Sequence, residues 1–413
     1  MVGPDENWPM AYEMDAGGEQ RLERYLDQIG GLLGDSPRRA SFAAYAMGLL
    51  SESERKSIEP LAARASATPA HASAAHQKLH HFIANTTWSD HDVRLAAARY
   101  AIAAMEERDP MLAWVIDDTG FLKQGKHSVA VQRQYTGSAG KTANCQVGVS
   151  LSITTRTEHL PIDFALFLPE SWTEDPERRR KAKIPEEATF KTKHDLALEM
   201  IEQAARDEIP GKIILADSFY GHSRAFRETV ELLGFDYGMA IYSNDKMWVL
   251  DRREHRRGEP RTAKEIALDL GPKRFRRCTW RQGTKSKLSS RFAQLRVKVP
   301  VEEGLAARAE WLLIEWPHGE KEPTHFFLTT LPKRMSKKQI VRLIKERYRT
   351  EQAYEELKGE LGLDHFEGRS FTGWQHHVSV TLCAYAFLVA ERSRAFPPST
   401  RGQGQAGANC CAA

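Results

Sequence analysis

Residues 113–125 read AWVIDDTGFLKQG. The run from Ala113 to Ile116 is apolar and bulky, so it reads as a buried strand. It ends in two adjacent carboxylates, Asp117 and Asp118, followed by Thr119 and Gly120. Burying a carboxylate costs several kcal/mol unless a positive group compensates it. The expected compensating charge is a metal ion.

The same pattern returns at residues 211–221, GKIILADSFYG, an apolar strand ending in Asp217. Between the two lie strand-like segments, HSVAVQRQYTG (127–137), CQVGVSLSITT (145–155) and LPIDFALFLP (160–169), and the helix-spaced TKHDLALEMIEQAARD (192–207). The polar stretch ESWTEDPERRRKAKIPEEATF (170–190) reads as a loop or insertion. Strands followed by a helix and a further strand give the order of a ribonuclease-H-like α/β core. In that order the first and fourth strands lie side by side and parallel, with Asp117 and Asp217 at neighbouring strand ends, where α/β sheets usually place their sites.

A third element is KERYRTEQAYEELKGELGLDHFEGRS (345–370). On a helix, at about 100° per residue, Arg347, Glu351 and Lys358 fall within about 40° of one another and share a face. Glu355 lies further round and Glu356 on the opposite side. Taken alone, the three are ordinary surface pairs worth a few tenths of a kcal/mol. Beside two strand-end aspartates they gain a second meaning. Asp117, Asp217 and Glu351 are hard oxygen ligands of the kind Mg²⁺ takes, with Mn²⁺ as a substitute. Two such ions about 4 Å apart activate a water or a 3′ hydroxyl on a phosphodiester and stabilise its leaving oxygen. Arg347 and Lys358 then contact phosphates beside the cut.

With these residues in place, the sequence resembles the DDE transposases of bacterial insertion sequences, in the IS-four-like group whose ribonuclease-H-like core carries a β-strand insertion before the final Glu. DDTG, LADSFYG and the signature R-x3-E-x6-K, met by Arg347, Glu351 and Lys358, carry the resemblance. KHSVAVQRQYTG, GKTANCQVGVSL and LGLDHFEGRS resemble the seven-hundred-and-one subgroup, and the likeness runs from His76 to Arg392. The resemblance implies binding to terminal inverted repeats, hydrolysis at each end to free 3′ hydroxyls, joining to target DNA, and a homodimer in the active complex. Two rivals are a ribonuclease-H-like nuclease without strand transfer and a catalytically inactive DNA-binding repressor. The family signature opens with Tyr three residues before the Arg, where this chain has Ile344, with Tyr348 nearby. The family pattern Asp-x-Thr favours Asp117 over Asp118, with Thr119 as its third residue.

Around this core the chain divides into an all-helical N-terminal domain, residues 1–108, expected to bind DNA; a first core segment, 109–245; a β-rich basic insertion, 246–332; C-terminal core helices, 333–395; and a disordered tail, 396–413. FAQLRVKV, EWLLIEW and THFFLTTL are the expected strands of the insertion. Ser89 can cap the last N-terminal helix, and SKKQ at Ser336 has capping-box spacing.

At 413 residues the chain is long enough for a substantial core, and its net charge is only +4. Residues 251–298, however, hold sixteen Lys or Arg against five Asp or Glu. Such an excess suits a polyanion, and it also fits a solvated basic face. The five cysteines are scattered without a CxxC pair, so neither structural zinc nor a disulfide framework is expected. His76, His80 and His81 read as one helix face. No segment has the length of a membrane span or the pattern of a signal peptide, so the expectation is a cytoplasmic, nucleoid-associated protein without membrane partners. Among the remaining residues, Tyr135, Gly137, Gly140 and Lys141 read as a hairpin and Trp374 as core. Lys123 and Lys126 read as a solvated loop or phosphate contacts, and His365 as the edge of a site.

Overall fold

The structure, a computed structural model, describes residues 17–66, 68–283, 286–300 and 308–395. The expected tail and the terminal Cys410 and Cys411 lie outside the described residues.

The strand that decides the fold is β1 (Ala113–Leu122), and it sits inside the sheet. After it come β2 (Gln132–Thr136), β3 (Lys141–Thr154), β4 (His159–Leu166), β5 (Ile213–Ala216) and β6 (Asp236–Ile241). β3 runs antiparallel to β1 along its whole length, from Ala113↔Thr154 to Leu122↔Cys145. Its other edge is shared by β2 and β4. β5 is parallel to β1, and β6 is parallel to β5. The central order is therefore β4-β3-β1-β5-β6.

One expectation is corrected here: β1 does not end at its aspartates. The apolar run stops at Ile116 because β5 stops there, its last pair being Ile116↔Ala216. β3 continues to pair, so Asp117 and Asp118 lie within a strand that has lost one neighbour.

The basic segment continues the same sheet. Its strands are β7 (Lys246–Leu250), β8 (Arg256–Thr262), β9 (Arg276–Gln282), β10 (Lys287–Lys298), β11 (Ala309–Glu315) and β12 (His325–Thr329). β12 joins β6 antiparallel, and the order runs on through β11, β10 and β7 to β8, with β9 on β10. β10, β11 and β12 fall on the three segments expected to be strands. The polar β8, RRGEPRT, has no apolar alternation for sequence reading to detect.

Among the described residues, five helices precede β1: α1 (Gly18–Gly31), α2 (Ser36–Leu50), α3 (Ile58–Arg64), α4 (Pro69–Asn85) and α5 (Asp90–Arg108). The supposed loop at 170–190 contains α6 (Glu170–Thr173) and α7 (Pro176–Ala182), with Arg179 donating to the carbonyls of Thr173, Pro185, Glu186 and Ala188. Then follow α8 (Lys193–Arg206), α9 (Ser218–His222), α10 (Arg224–Leu232), α11 (Ala263–Leu270), α12 (Lys337–Lys345), α13 (Arg349–Gly359) and α14 (Phe371–Ala395). Ser89 caps α5 through Asp92 N, and Ser336 and Gln339 close a capping box on α12. The expected single helix from residue 345 is broken: a 3₁₀ turn, Glu346–Tyr348, separates α12 from α13 and carries Arg347.

α14 is buried along most of its length because the N-terminal helices cover it. Tyr25 donates to Cys383 O at 2.7 Å, and Tyr45 Oη meets His377 Nδ1 at 2.8 Å. Among the described residues no helix is long and apolar enough to cross a membrane.

Candidate active site

Strand alternation separates the two adjacent aspartates. Asp117 projects on the side of Ala113 and Val115, whose core cluster includes Ile340, Val341 and Ile344 of α12. Asp118 projects with Trp114 and Ile116, in the core cluster that holds Met200 and Ile201 of α8. Asp217 follows β5 directly, one step beyond the Ile116↔Ala216 pair, so it stands beside Asp117 at the point where the parallel pairing ends. Its carboxylate accepts from Phe219 N at 3.0 Å and Tyr220 N at 3.3 Å.

Both glycines of the motifs have steric reasons. A Cβ on Gly221 would lie 1.9 Å from Ala240 O of β6, so only glycine lets α9 seat Asp217 against the sheet. A Cβ on Gly120 would lie 1.9 Å from Thr136 Oγ1, where the β2–β3 hairpin folds over β1.

The positive groups that the buried carboxylates require are in the chain. Arg347 Nη1 donates to Asp117 Oδ2 at 2.8 Å, and its Nη2 lies 3.6 Å from Glu351 Oε1. Lys193 Nζ donates to Asp118 Oδ2 at 2.8 Å. Arg347 is the point at which the three expected carboxylates meet: Asp117 and Asp217 are adjacent, and Glu351, 65% exposed, stands on the outer side of the guanidinium. Compensation is incomplete. Burial raises the Asp117 carboxyl to about 7, with Arg347 opposing and the neighbouring Asp217 adding to the rise. Burial likewise raises Asp217, again opposed by Arg347.

The pair suits a hard cation, since two carboxylates on neighbouring strands, Asp117 within β1 and Asp217 just past β5, share one arginine and repel each other. Among the described residues no group of three His, Cys, Asp or Glu side chains stands close enough to hold a metal ion. Glu351 reaches the aspartate pair only through Arg347.

Lys358 turns inward. Its ammonium donates to Thr119 Oγ1 and Gly120 O at 2.8 Å and to Ser138 Oγ at 3.1 Å, so all three donors meet neutral oxygens. Burial lowers its pKa, with Asp364 opposing. Sequence reasoning missed Ser138 and Lys193, which only strand pairing and helix packing bring to the site.

Other candidates resolve into structural roles. Lys123 Nζ donates to Phe366 O at 2.7 Å and Asp364 O at 3.3 Å, which fixes a turn and corrects both readings of that lysine. His365 Nδ1 accepts from Lys56 N, in contact with the N-terminal helical segment. Trp374 is buried edge-on against Phe121. Tyr135, Gly137, Gly140 and Lys141 shape the β2–β3 hairpin. Ile344 is buried in the core, so nothing at that position reaches the surface. Cys145, Cys278 and Cys383 are buried and unpaired.

Comparison with known proteins adds two findings. A sequence profile described as DDE superfamily endonuclease matches residues 29–287. The chain is also 25% identical, over 233 residues, to a protein of Microchaete diplosiphon named as a probable transposase for insertion sequence element IS701. That alignment covers 56% of this chain and 56% of the relative, so the two match over little more than half the relative's length.

Proposed function

The chain belongs to the DDE superfamily endonucleases, and on that premise we propose that it is the transposase of an insertion sequence, with a ribonuclease-H-like core, of the seven-hundred-and-one kind. It binds double-stranded DNA at the element's terminal inverted repeats, hydrolyses each end to free a 3′ hydroxyl, and transfers those hydroxyls to target DNA. Joining two ends calls for two copies of the chain, hence a homodimer in the active complex.

The observation that carries this reading is Asp117 beside Asp217 at the end of the parallel pairing, with Arg347 bridging to Glu351. Members of the family work with divalent metal ions, generally Mg²⁺. Asp117, Asp217 and Glu351 would hold them. Bound there, two ions, Mg²⁺ or Mn²⁺, would supply activation of the attacking water or 3′ hydroxyl and stabilisation of the leaving oxygen.

The chain's own residues do the rest. Asp217 is fixed by two backbone N–H groups and Gly221, so its carboxylate needs no reorganisation. Arg347 opposes the rise that burial gives the Asp117 carboxyl and presents its remaining donors to a phosphate. Lys358 locks β1 to the hairpin through Ser138, and an incoming phosphate competes with these neutral oxygens for its charge. The basic strands at 251–298 supply a salt-dependent grip on the duplex.

Purified protein with Mg²⁺ or Mn²⁺ and labelled DNA carrying the ends that flank the gene tests the reading, beside Glu351→Gln and Asp217→Ala. Metal-dependent 3′ nicks and joined products are expected, both lost in the variants while DNA binding stays. Nicking without joining would instead favour a nuclease without strand transfer. Specific binding without either product would make the chain a DNA-binding repressor.

A further inference from the structure

Beyond the carboxylates, one cation approaches the site from a different part of the chain. Arg281 lies on β9, and its guanidinium carbon sits 4.1 Å from the ring centre of Tyr348. The guanidinium also donates to the Tyr348 hydroxyl, which in turn donates to Gln352 Oε1 at 2.7 Å. Tyr348 follows Arg347 directly and precedes Glu351 by three residues, so Arg281 is held within one helical turn of both.

Several other cations are already paired. Arg349 binds Glu346 at 2.6 Å and the carbonyls of Thr157 and Arg156, while in the basic segment Arg261, Lys264 and Arg296 pair with Asp269, Glu322 and Glu254. Arg281 has no carboxylate within ion-pair distance among the described residues. Burial and the adjacent Arg349 lower its pKa, with the Glu346 carboxylate opposing. A stacked guanidinium is pre-organised, exposes its remaining donors in a fixed fork, and matches a phosphate better than a mobile lysine would.

We propose that Arg281, propped by Tyr348, binds a backbone phosphate of the DNA strand entering the Arg347–Glu351 corner, joining the β9–β10 hairpin to the catalytic centre through the substrate. This rests on the nucleic-acid reading of the site. A chain with this contact loses one phosphate when Arg281 is removed.

The experiment measures binding of a fluorescein-labelled duplex to the full chain by anisotropy across a salt series. For Arg281→Ala the slope of log K against log salt is expected to become shallower by about 0.9, the value of one neutralised phosphate on duplex DNA. Arg281→Lys keeps the slope. Tyr348→Ala shows the same loss as Arg281→Ala, and the double variant shows no more than either, because one contact serves both. Circular dichroism identifies any variant that fails to fold, and for such a variant Arg281→Gln replaces Ala. An unchanged slope in a folded variant overturns the role of Arg281 alone. Absence of salt-dependent binding by the unsubstituted chain overturns the nucleic-acid reading beneath it.

Discussion

Two regions of this protein bury charge, and they do so differently. Where α14 meets the N-terminal helices, the buried charges of Glu391 and Arg94 are answered. Glu391, 3% exposed, takes Arg21 through contacts of 2.6, 2.9 and 3.1 Å and Arg394 at 2.7 Å. Arg94 is held by Asp90, by Asp163 at 3.1 Å and by Ser379 Oγ at 2.8 Å. At the Asp117 corner, two adjacent carboxylates share one arginine, and burial leaves Asp117 with a carboxyl near 7. The first arrangement holds helices together and has nothing left over for a ligand. The second keeps unspent negative potential at a partly buried corner of the sheet, which is the condition for recruiting a cation.

Titration of the metal-free chain tests this contrast with the largest expected effect. Asp117 ionises near 7 when folded and near ~3.9 when unfolded, so the native state holds a proton that the unfolded chain releases. Stability from this group therefore falls as pH rises from about 4 to about 7, by at most roughly 4 kcal/mol. At the α14 interface the sign reverses. Burial, aided by Lys123, lowers His377 to about 4, and its ring accepts from Tyr45 while donating to the carbonyls of Gly362 and Leu363. The unfolded histidine protonates near ~6.5, so stability from His377 is lost as pH falls below that value. The two slopes oppose each other in the native chain. Asp117→Asn should remove one of them and leave stability that rises with pH from 4 to 7 in denaturant titrations. An unchanged profile would mean that Asp117 is ionised throughout and already compensated.

A second test removes one arginine from each region. Arg94→Ala leaves Asp163 and Asp90 unanswered in the helix interface and is expected to cost about 3 kcal/mol. Arg347→Ala takes a 28%-exposed guanidinium from a site that already tolerates poor compensation, and about 1 kcal/mol or less of stability should go with it. Cleavage, in contrast, should fall sharply in Arg347→Ala. Equal stability losses in the two variants would dissolve the distinction.

The sequence made the central strands legible because their apolar runs are long and each ends at an aspartate. Both motif glycines could be noted but not explained, since their reasons, the Ala240 carbonyl and the Thr136 hydroxyl, come from other strands. Helical periodicity ran unbroken past Arg347 because a single 3₁₀ turn shifts the phase too little to erase it. The length of β1 was misread for a related reason: loss of one neighbour changes burial at Asp117 without ending the strand. Lys193, Ser138 and Arg281 carry no local signal. Each owes its place to packing between segments far apart in the chain.

The finest test concerns the two adjacent aspartates, of which the family pattern Asp-x-Thr favours Asp117. Asp118 lies on the opposite face of β1 from Asp117 and is paired with Lys193, whose ammonium also sits 5.2 Å from the Phe219 ring centre. Asp118→Asn keeps the shape and one acceptor for Lys193, so the loss of stability should be about 1 kcal/mol. Cleavage should change by less than about tenfold, because the substitution acts only through the field at Asp217 and Asp117. Asp117→Asn in the same assay should fall to background. If the two variants exchange these results, Asp118 is the metal-facing carboxylate, and β1 must present its opposite face when DNA is bound. That outcome requires Lys193 to release Asp118 and a rotation of the strand that its pairing with β3, continuous from Ala113 to Leu122, resists.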